Sequence, residues 1–473
     1  MTRRESRISR APILVTVVVA VVVAAAFGSA RHGESKLDAR ARRTDLAATS
    51  MPPHDARSAA WYCAAGTAAR GGVADEAVIV SNVGTATLHA QIDVMAGGAQ
   101  PAGTTGFDLR AGEQRRVRVG DVAAVPSPGV VVEVFDGEAA VEHLVTHGSH
   151  VAVSPCARSA STTWYLPAGT TVPGTQQWLS LFDPFDDDAI VDVTFLTDGG
   201  PQAPDALQGL VVPRRSKLLV PVHDDIARQN LVTTVVRART GRVVAEQTLV
   251  FTGAPNRSGI ALTLGLPGVA RDWYLPVGSP TGGPSTLVVA NPGSSAARVQ
   301  IAVLLDGQAR LSPETITVGA ESVVAVDLLA HVPPNTGFSV RVRSSAAVVV
   351  GELSFGASGG ASSVAPSPVT ATRWVFAMGR VGPSWTDTLV VANASSRTVR
   401  VRVTAHDPGA TTSVTGNAPV AVPAGARVIV DLAARRVAPR AAVTVEGDGP
   451  LVAERVDTSP GTSAAALGIP DLN

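Results

Sequence analysis

The sequence predicts an all-β protein: an N-terminal transmembrane helix followed by four tandem immunoglobulin-like β-sandwich repeats. A Trp-containing motif returns at regular intervals, many segments alternate apolar and polar residues with period two, and turn residues separate these segments. Strict alternation places one strand face in a core and the other in water, as in antiparallel sheets. About seven strands in roughly 100 residues suit an immunoglobulin-like sandwich. A β-propeller is the alternative, but its blades need only about 40 to 50 residues.

The N-terminal segment predicts a membrane anchor. Residues 1–10 form a basic tail with four Arg, and residues 11–30 carry no charge. Such a run is about the length of a helix that spans hydrocarbon, and the Arg residues favour a cytoplasmic N-terminus. The alternative is a cleaved signal peptide, because Gly28 and Ala30 suit a cleavage site. We therefore expect a single-pass cell-membrane protein whose C-terminal region is extracytoplasmic, or a secreted protein.

Two further features agree with export. Residues 31–60 show no apolar period, and we interpret them as a flexible stalk. The chain contains two cysteines, Cys63 and Cys156. A pair of cysteines fits an oxidising compartment, and both lie at the boundary of the first repeat, so we expect a disulfide between them. Two free buried thiols are the alternative.

Four copies of one unit follow the stalk. The motif reads WYCAAGT, WYLPAGT, WYLPVGS and WVFAMGR, at intervals of 103, 109 and 101 residues. Its first residues are Trp61, Trp164, Trp273 and Trp374. We place the repeats at residues 61–157, 158–267, 268–367 and 368–473.

Two more positions recur with regular spacing. In each repeat an apolar run ends at a turn residue, and a Glu follows 60 to 63 residues later. The turn residues are Asn82, Asp183, Asn291 and Asn393, and the Glu residues are Glu142, Glu246, Glu352 and Glu454. Such regular spacing across a weak sequence match indicates four copies of one fold.

The motifs WYC or WYLP-x-G, VVANPG, VAER and LGIP together resemble those of an actinobacterial family of secreted or membrane-anchored proteins of unknown function. The resemblance covers nearly everything after about residue 58, together with the N-terminal anchor. Because that family has no assigned activity, the resemblance implies an architecture and a location but no site.

The motif Trp residues have two interpretations. Exposed rings would form stacking platforms for envelope glycan. Buried rings would fill the sandwich core, since a core aromatic supplies a large apolar area for two rotatable angles. A fixed place in the strand pattern favours the structural role.

Other candidate groups have weak patterns. The recurring Glu residues are single acids, whereas acid–base catalysis of glycoside hydrolysis needs a pair. We expect each to close a strand end by pairing with Arg or a backbone N–H. A zinc site at His143, His147 and His150 and a calcium site at the acidic turn are conceivable, but neither has a standard spacing. The acids of that turn are Asp183, Asp186, Asp187 and Asp188.

The charge balance and the motif search limit the classes of function that fit the sequence. Basic and acidic residues number 39 each, so nothing favours nucleic acid as a partner. No catalytic, cofactor or metal motif is found. We therefore predict a non-catalytic cell-envelope scaffold or protein-interaction module without a cofactor, built as a rod of separately folded repeats. A glycan-binding or enzyme-regulating module is the alternative, and a hydrolase is a distant third.

Arg-rich strand faces could bind a partner's carboxylates or phosphates, or could be solvated strand faces. They contain Arg116, Arg118, Arg341, Arg343, Arg400 and Arg402.

Overall fold

The computed structural model describes residues 43–473 apart from 255–256, 280–281, 307–311, 331, 335 and 357–358. The predicted tail at 1–10, the anchor at 11–30 and the first part of the stalk lie outside the described residues. Within the described part, no helix is long and apolar enough to cross a membrane. Residues 44–473 form one compact unit.

Repeat 1 is a sandwich of two antiparallel sheets with a single helical turn. Its elements are β1 (Ser58–Cys63), β2 (Asp75–Asn82), β3 (Leu88–Met95), β4 (Gly103–Leu109), β5 (Gln114–Arg118), α1 (Val119–Val122), β6 (Gly129–Phe135), β7 (Ala139–His147) and β8 (His150–Pro155). One sheet has the order β1-β6-β3-β4, and the other has the order β5-β2-β7-β8. Apolar side chains of both sheets share one core around the buried ring of Trp61.

Repeat 2 has the same plan. Its elements are β9 (Thr163–Gly169), β10 (Thr175–Asp183), β11 (Ala189–Thr197), β12 (Gly200–Gln202), a 3-10 turn (Asp205–Leu207), β13 (Leu210–Val212), β14 (Ser216–Pro221), α2 (Val222–Asp225), β15 (Val232–Thr240), β16 (Val244–Ala254) and β17 (Arg257–Leu264). The sheets run β12-β11-β15-β9 and β14-β10-β16-β17, and β13 pairs with β11.

Repeats 3 and 4 each contain one strand of 18 residues, and this strand joins the other strands into one continuous sheet of seven strands in repeat 3 and nine in repeat 4. Repeat 3 comprises β18 (Ala270–Leu275), β19 (Ser285–Asn291), β20 (Ala297–Leu305), β21 (Glu314–Val318), β22 (Ser322–Asp327), the long β23 (Phe338–Phe355) and β24 (Ala361–Val364). Repeat 4 comprises β25 (Ala371–Phe376), β26 (Thr388–Asn393), β27 (Val399–Asp407), β28 (Ala410–Ser413), β29 (Val420–Val422), β30 (Arg427–Asp431), the long β31 (Ala442–Ser459), β32 (Thr462–Leu467) and β33 (Ile469–Asp471).

The all-β class and the repetition agree with the sequence, but the strand order is not that of an immunoglobulin domain. In immunoglobulin sheets the second strand lies beside the first. Here β2 lies between β5 and β7, and β1 pairs with β6. The immunoglobulin topology was therefore a wrong prediction. Period-two alternation identifies strands, but it carries no information about which strands are neighbours in a sheet.

The four repeats close into a ring. One strand near the C-terminal end of each repeat faces the centre of the ring. These strands are β8, β17, β24 and β32. Each contacts the corresponding strands of the repeats before and after it, and β32 of repeat 4 contacts β8 of repeat 1. A mixed apolar cluster confirms this closure, because Ile79 and Leu144 of repeat 1 pack with Val375 and Ile469 of repeat 4. The predicted rod is therefore wrong. The repeats surround a common centre, as propeller blades do.

The stalk interpretation is wrong for residues 44–60. Residues 49–52 are buried, and the N–H of Met51 donates to the carbonyl of Pro470 at 2.9 Å. Leu46 packs against the cores of repeats 3 and 4, and residues 46–49 line a central cavity of about 90 Å³ beside the four last strands. Strand β1 then begins at Ser58. A segment without regular secondary structure shows no apolar periodicity in its sequence. Its packing against the ring could therefore not be predicted.

Candidate functional site

The motif Trp residues lie in the sandwich cores. Each is at most 1% exposed. The indole N–H of Trp164 donates to the carbonyl of Val243 at 2.6 Å, and that of Trp374 donates to the carbonyl of Leu451 at 2.9 Å. This placement agrees with the structural interpretation, because a buried ring cannot stack on a glycan.

The loop after each motif Trp contacts the next repeat. We call residues 64–66, 167–169, 276–278 and 377–379 the motif loops. Each contains a Gly that permits close approach. Gly66 has φ of +80°, and a Cβ on it would lie 2.4 Å from the Cβ of Glu76. Any larger residue at this position would be strained and would collide with Glu76.

The recurring Glu residues are fully buried and hold these motif loops. The carboxylate of Glu246 in repeat 2 accepts the N–H of Ala65 in repeat 1 at 2.5 Å. Glu454 of repeat 4 accepts the N–H of Val277 in repeat 3 at 3.1 Å. In these two junctions a Glu therefore binds the residue four positions after the Trp of the preceding repeat.

The same contact closes the ring. Glu142 of repeat 1 accepts the N–H of Met378 in repeat 4 at 2.7 Å. The remaining junction departs from the pattern, because Glu352 accepts the hydroxyl of Ser285 in its own repeat at 2.6 Å. The sequence predicted a backbone N–H or an Arg as partner, but not that the partner belongs to another repeat.

A second side chain from the next repeat donates a hydrogen bond to a carbonyl of the motif loop. The ammonium of Lys217 donates to the carbonyl of Gly66 at 2.5 Å, and Gln114 donates to the carbonyl of Ala377 at 2.7 Å. Arg427 donates to the carbonyl of Pro276 at 2.9 Å and forms a bidentate ion pair with Asp306, with both distances at 2.8 Å. Each of these donors lies in the repeat that follows the loop, with repeat 1 following repeat 4.

Burial raises the pKa of three of the recurring Glu residues. It raises the pKa of Glu142 to about 7, partly offset by the N–H of Met378. It raises the pKa of Glu352 to about 8 and that of Glu454 well above its ordinary value, the latter with a further rise from the nearby Glu352. A protonated carboxyl is less costly to bury than a carboxylate.

The junction of repeats 1 and 2 contains a buried charge cluster. His143 Nδ1 lies 2.8 Å from Glu76 Oε1, and its Nε2 lies 3.3 Å from Glu246 Oε1; all three side chains are 0% exposed. Burial alone would lower the pKa of His143, but the two carboxylates outweigh it and raise that pKa to about 10. Burial lowers the pKa of Lys217 to about 8 despite the same carboxylates.

The candidate zinc histidines do not converge. His143 is buried between Glu76 and Glu246, whereas the Nδ1–H of His147 donates to the carbonyl of Val73 at 2.7 Å, near the hairpin end where His147 pairs with His150. A protonated His143 with both ring nitrogens facing carboxylates has no lone pair for a metal. The predicted disulfide is confirmed: Cys63 and Cys156 are bonded and buried. Their sulfurs lie within 4.8 Å of a ring nitrogen of His143.

The acidic turn of repeat 2 uses its carboxylates locally. Asp183 is buried and accepts the N–H of Phe185 at 2.9 Å, as turn-forming Asp residues do. Asp186 pairs with Arg215 at 2.5 Å, and Asp188 accepts the N–H of Arg214 at 2.8 Å. These acids do not converge on a common point among the described residues that could hold a metal.

The Arg-rich strand faces differ between repeats. Arg118 lies near Asp75 at 3.9 Å, and Arg400 lies near Asp448 at 3.8 Å; these are exposed pairs that contribute little. Arg116 is exposed on β5, and partial desolvation together with the nearby Arg440 lowers its pKa. Arg402 lies on β27 opposite Glu446 of β31.

In repeat 3, Arg341 and Arg343 share the carboxylate of Asp272, at 3.2 and 3.3 Å. They line a cleft of about 540 Å³ between repeats 3 and 4. This cleft is the strongest candidate binding site in the part of the chain that the structure describes.

Sequence reasoning missed Glu76 and Lys217. Glu76 stands at the start of an apolar strand without a recurring partner. Lys217 did carry a signal, because the chain has only two lysines among 39 basic residues. A lysine retained where arginine is otherwise used indicates a position that needs a compact ammonium.

Two parts of the chain match a known family. Residues 137–250 and 267–380 match the model of a family described as a family of unknown function (DUF5719). Each match crosses a boundary between two repeats, as expected when neighbouring repeats form one unit. The match agrees with the prediction of a family of unknown function, and the actinobacterial origin stays a prediction. None of the curated proteins matches the sequence.

Solved structures show only partial similarity. The Anabaena sensory rhodopsin transducer is 23% identical over 17% of this chain and 92% of its own, with a TM-score of 0.16. Thermotoga maritima 1070 is 20% identical over 19% of this chain and 84% of its own, with a TM-score of 0.17. These TM-scores are too low to assign a shared fold.

Proposed function

We propose that the protein is a non-catalytic, membrane-anchored extracytoplasmic scaffold that presents its ring to a partner in the cell envelope. One observation carries the proposal. The recurring Trp and Glu residues are all buried; the Trp residues fill cores, and three of the four Glu residues hold junctions of the ring. The repeated motif is therefore a means of assembly, and it leaves the outer faces for contact.

The proposed location rests on the sequence and on the disulfide. The charge-free segment 11–30 behind a basic tail supports an anchor. A buried disulfide between Cys63 and Cys156 supports an oxidising compartment.

The buried charge cluster of His143 supports assembly rather than catalysis. Its imidazole and both carboxylates are 0% exposed, so a substrate could not reach them without opening the junction of repeats 1 and 2. A catalytic group must touch its substrate. The cluster instead supplies charge pairing across that junction.

A photo-crosslinking experiment in the native membrane tests the proposal. The crosslinking residue replaces Ile429 or Val211, which are 51% and 52% exposed, in the full-length chain. We expect one discrete envelope partner at one of these positions, and reciprocal capture when the partner carries the crosslinker. Extraction at alkaline pH should leave the chain in the membrane fraction. Release by that treatment, or turnover of an envelope substrate by the purified chain, would contradict the proposal.

The alternative of a glycan-binding module is favoured by the cleft between repeats 3 and 4, which is lined by Tyr274 and two Arg residues. It is not favoured at the motif Trp residues, because their rings are buried. Any glycan recognition would therefore use one junction of the ring rather than a row of four equivalent platforms.

A further inference from the structure

We propose that the cleft between repeats 3 and 4 binds an anionic ligand, whose carboxylate or phosphate pairs with Arg341 and Arg343. The inference goes beyond the proposed function, since it depends neither on the anchor nor on a protein partner. Its volume of about 540 Å³ lies within the usual range of small-molecule sites, about 300 to 1,000 Å³.

The two guanidinium groups lie on one face of the sheet. Arg341 and Arg343 are two positions apart on β23, and side chains alternate along a strand, so both project to the same side. Arg341 pairs in register with Tyr274 and Arg343 with Asp272. The guanidinium of Arg341 lies 4.9 Å from the centre of the Tyr274 ring and donates to its hydroxyl at 2.9 Å. These contacts orient Arg341 before a ligand arrives.

The cleft carries net positive charge. Its lining contains Arg341 and Arg343 and, among the described residues, no acid. The nearby Asp272 is one carboxylate shared by two guanidinium groups. The trio therefore has a formal charge of plus one. The Nε of Arg341 is buried and has no hydrogen-bond partner among the described atoms, whereas a terminal nitrogen of the same guanidinium donates to Asp272 and Tyr274.

Equivalent positions in the other repeats lack this arrangement. The strand register aligns the residues opposite each motif Trp, which are Val132, Val236, Val342 and Val445. One position before them, Arg341 corresponds to Val131, Val235 and Thr444. One position after them, Arg343 corresponds to Glu133, Arg237 and Glu446.

Apolar residues seal two of the corresponding junctions. Val131 packs into the core cluster of repeat 2, and Val235 packs into that of repeat 3. Leu196 of repeat 2 is only 7% exposed, whereas the corresponding Leu304 of repeat 3 is partly exposed and lines the cleft. An arginine in place of valine therefore accompanies an open junction, and a structural role alone would favour the sealed form.

Polar groups complete the cleft. Gln300 and Ser339 of repeat 3 and Ser396 of repeat 4 line it beside the guanidinium groups. Amide and hydroxyl groups fix the orientation of a ligand with several oxygens. An acidic sugar or a phosphorylated polyol offers both the anion and the hydroxyl groups that such a site would recognise.

Titration of the purified full-length chain in detergent tests the inference. The probes are glucuronate and glycerol phosphate, with glucose as a neutral control. Their binding is measured by calorimetry at low salt. We expect binding of one anion or both, no binding of glucose, and weaker binding as salt rises. The two anions distinguish a carboxylate ligand from a phosphate ligand.

Variants locate the binding. Arg341→Gln should weaken it by about tenfold or more, because a charge-assisted hydrogen bond is worth more than a neutral one. Arg237→Gln is the matched control, since Arg237 holds the position of Arg343 in repeat 2. If Arg341→Gln lowers the melting temperature, Arg343→Gln, whose side chain is 59% exposed, replaces it.

Absence of binding by both anions would overturn the inference. So would binding that the variants at Arg341 and Arg343 leave unchanged, or an equal loss in Arg237→Gln. Each of these outcomes leaves the membrane crosslinking result unaffected, so failure of the cleft and failure of the scaffold are distinguishable.

Discussion

Glu142 in repeat 1 accepts a hydrogen bond from the backbone N–H of Met378 in repeat 4, at 2.7 Å across 236 residues of sequence. The carbonyl of the preceding residue, Ala377, receives the hydroxyl of Ser81 at 2.6 Å and the amide of Gln114 at 2.7 Å. Both of these backbone groups of the motif loop are thus hydrogen-bonded by repeat 1. Because repeat 4 is held to repeat 1 in this way, the four repeats form one body.

Glu142→Ala should loosen this junction alone. The N–H of Met378 would lose its acceptor, and an unsatisfied buried group costs about 1 to 3 kcal/mol. Hydrogen exchange should become faster at the Met378 amide, while the Ala65 and Val277 amides, held by Glu246 and Glu454, serve as internal controls. Equal acceleration at all three amides would mean that the junctions do not open separately.

Trp164→Ala should destabilise the protein by about 3 to 5 kcal/mol, because it leaves a cavity in a core. It also leaves the carbonyl of Val243 without its donor. Trp178→Ala is the matched control, since that ring is only partly buried and packs edge-on against His223. Denaturant unfolding of both variants measures the difference. Equal stability of Trp164→Ala and the wild type would be incompatible with a core role.

His143→Ala should cost about 3 to 5 kcal/mol, because removing one partner leaves buried charge unpaired. The carboxylates of Glu76 and Glu246 would then face each other in the buried junction without the imidazolium between them. His147→Ala provides the control near the hairpin end. Thermal unfolding at neutral pH compares them, and similar melting temperatures for the two variants would contradict a role for the cluster in joining repeats 1 and 2.

Glu352→Gln should remove part of the pH dependence of stability. Burial raises the pKa of Glu352 to about 8, above its value in the unfolded chain. The folded state then holds the proton more tightly, so this group's contribution is present at low pH. It is lost as pH rises from about 4.5 through 8.

We therefore expect Glu352→Gln to be more stable than the wild type at pH above 8, with the difference vanishing near pH 4. Glu314→Gln, in the same repeat, is the control because Glu314 is exposed. Chemical unfolding across this pH range gives the free energy of each protein. A constant difference between Glu352→Gln and the wild type would show that Glu352 does not titrate in this way.

The sequence predicted the local features well. Period two identified strands, the Trp interval identified repeats, and the cysteine pair identified a disulfide, because each of these signals is carried by the residues concerned. The burial of Trp61 and its equivalents also followed from their fixed place in the strand pattern.

Ring closure was harder to predict. One of its donors is the backbone N–H of Met378, and a backbone group has no sequence signature. Continuous apolar runs did carry a signal, because strand β2 is buried at every position after Asp75. Such a run indicates burial on both faces rather than one face in water. The open cleft beside Arg341 could not be predicted, since its walls come from two repeats and their packing against each other has no signature in the sequence.

Closure also fixes how many repeats the chain can hold. An open array of repeats can grow or shrink by one unit, because each repeat touches only its neighbours and its ends are capped. Here β8 and β32 are themselves neighbours. Deleting one unit would leave two faces that were shaped for different partners, and inserting one would separate the faces that now meet. Divergence of a single repeat leaves these faces in place, and the arginine at position 341 of repeat 3, where repeats 1 and 2 have valine, is a difference of that kind.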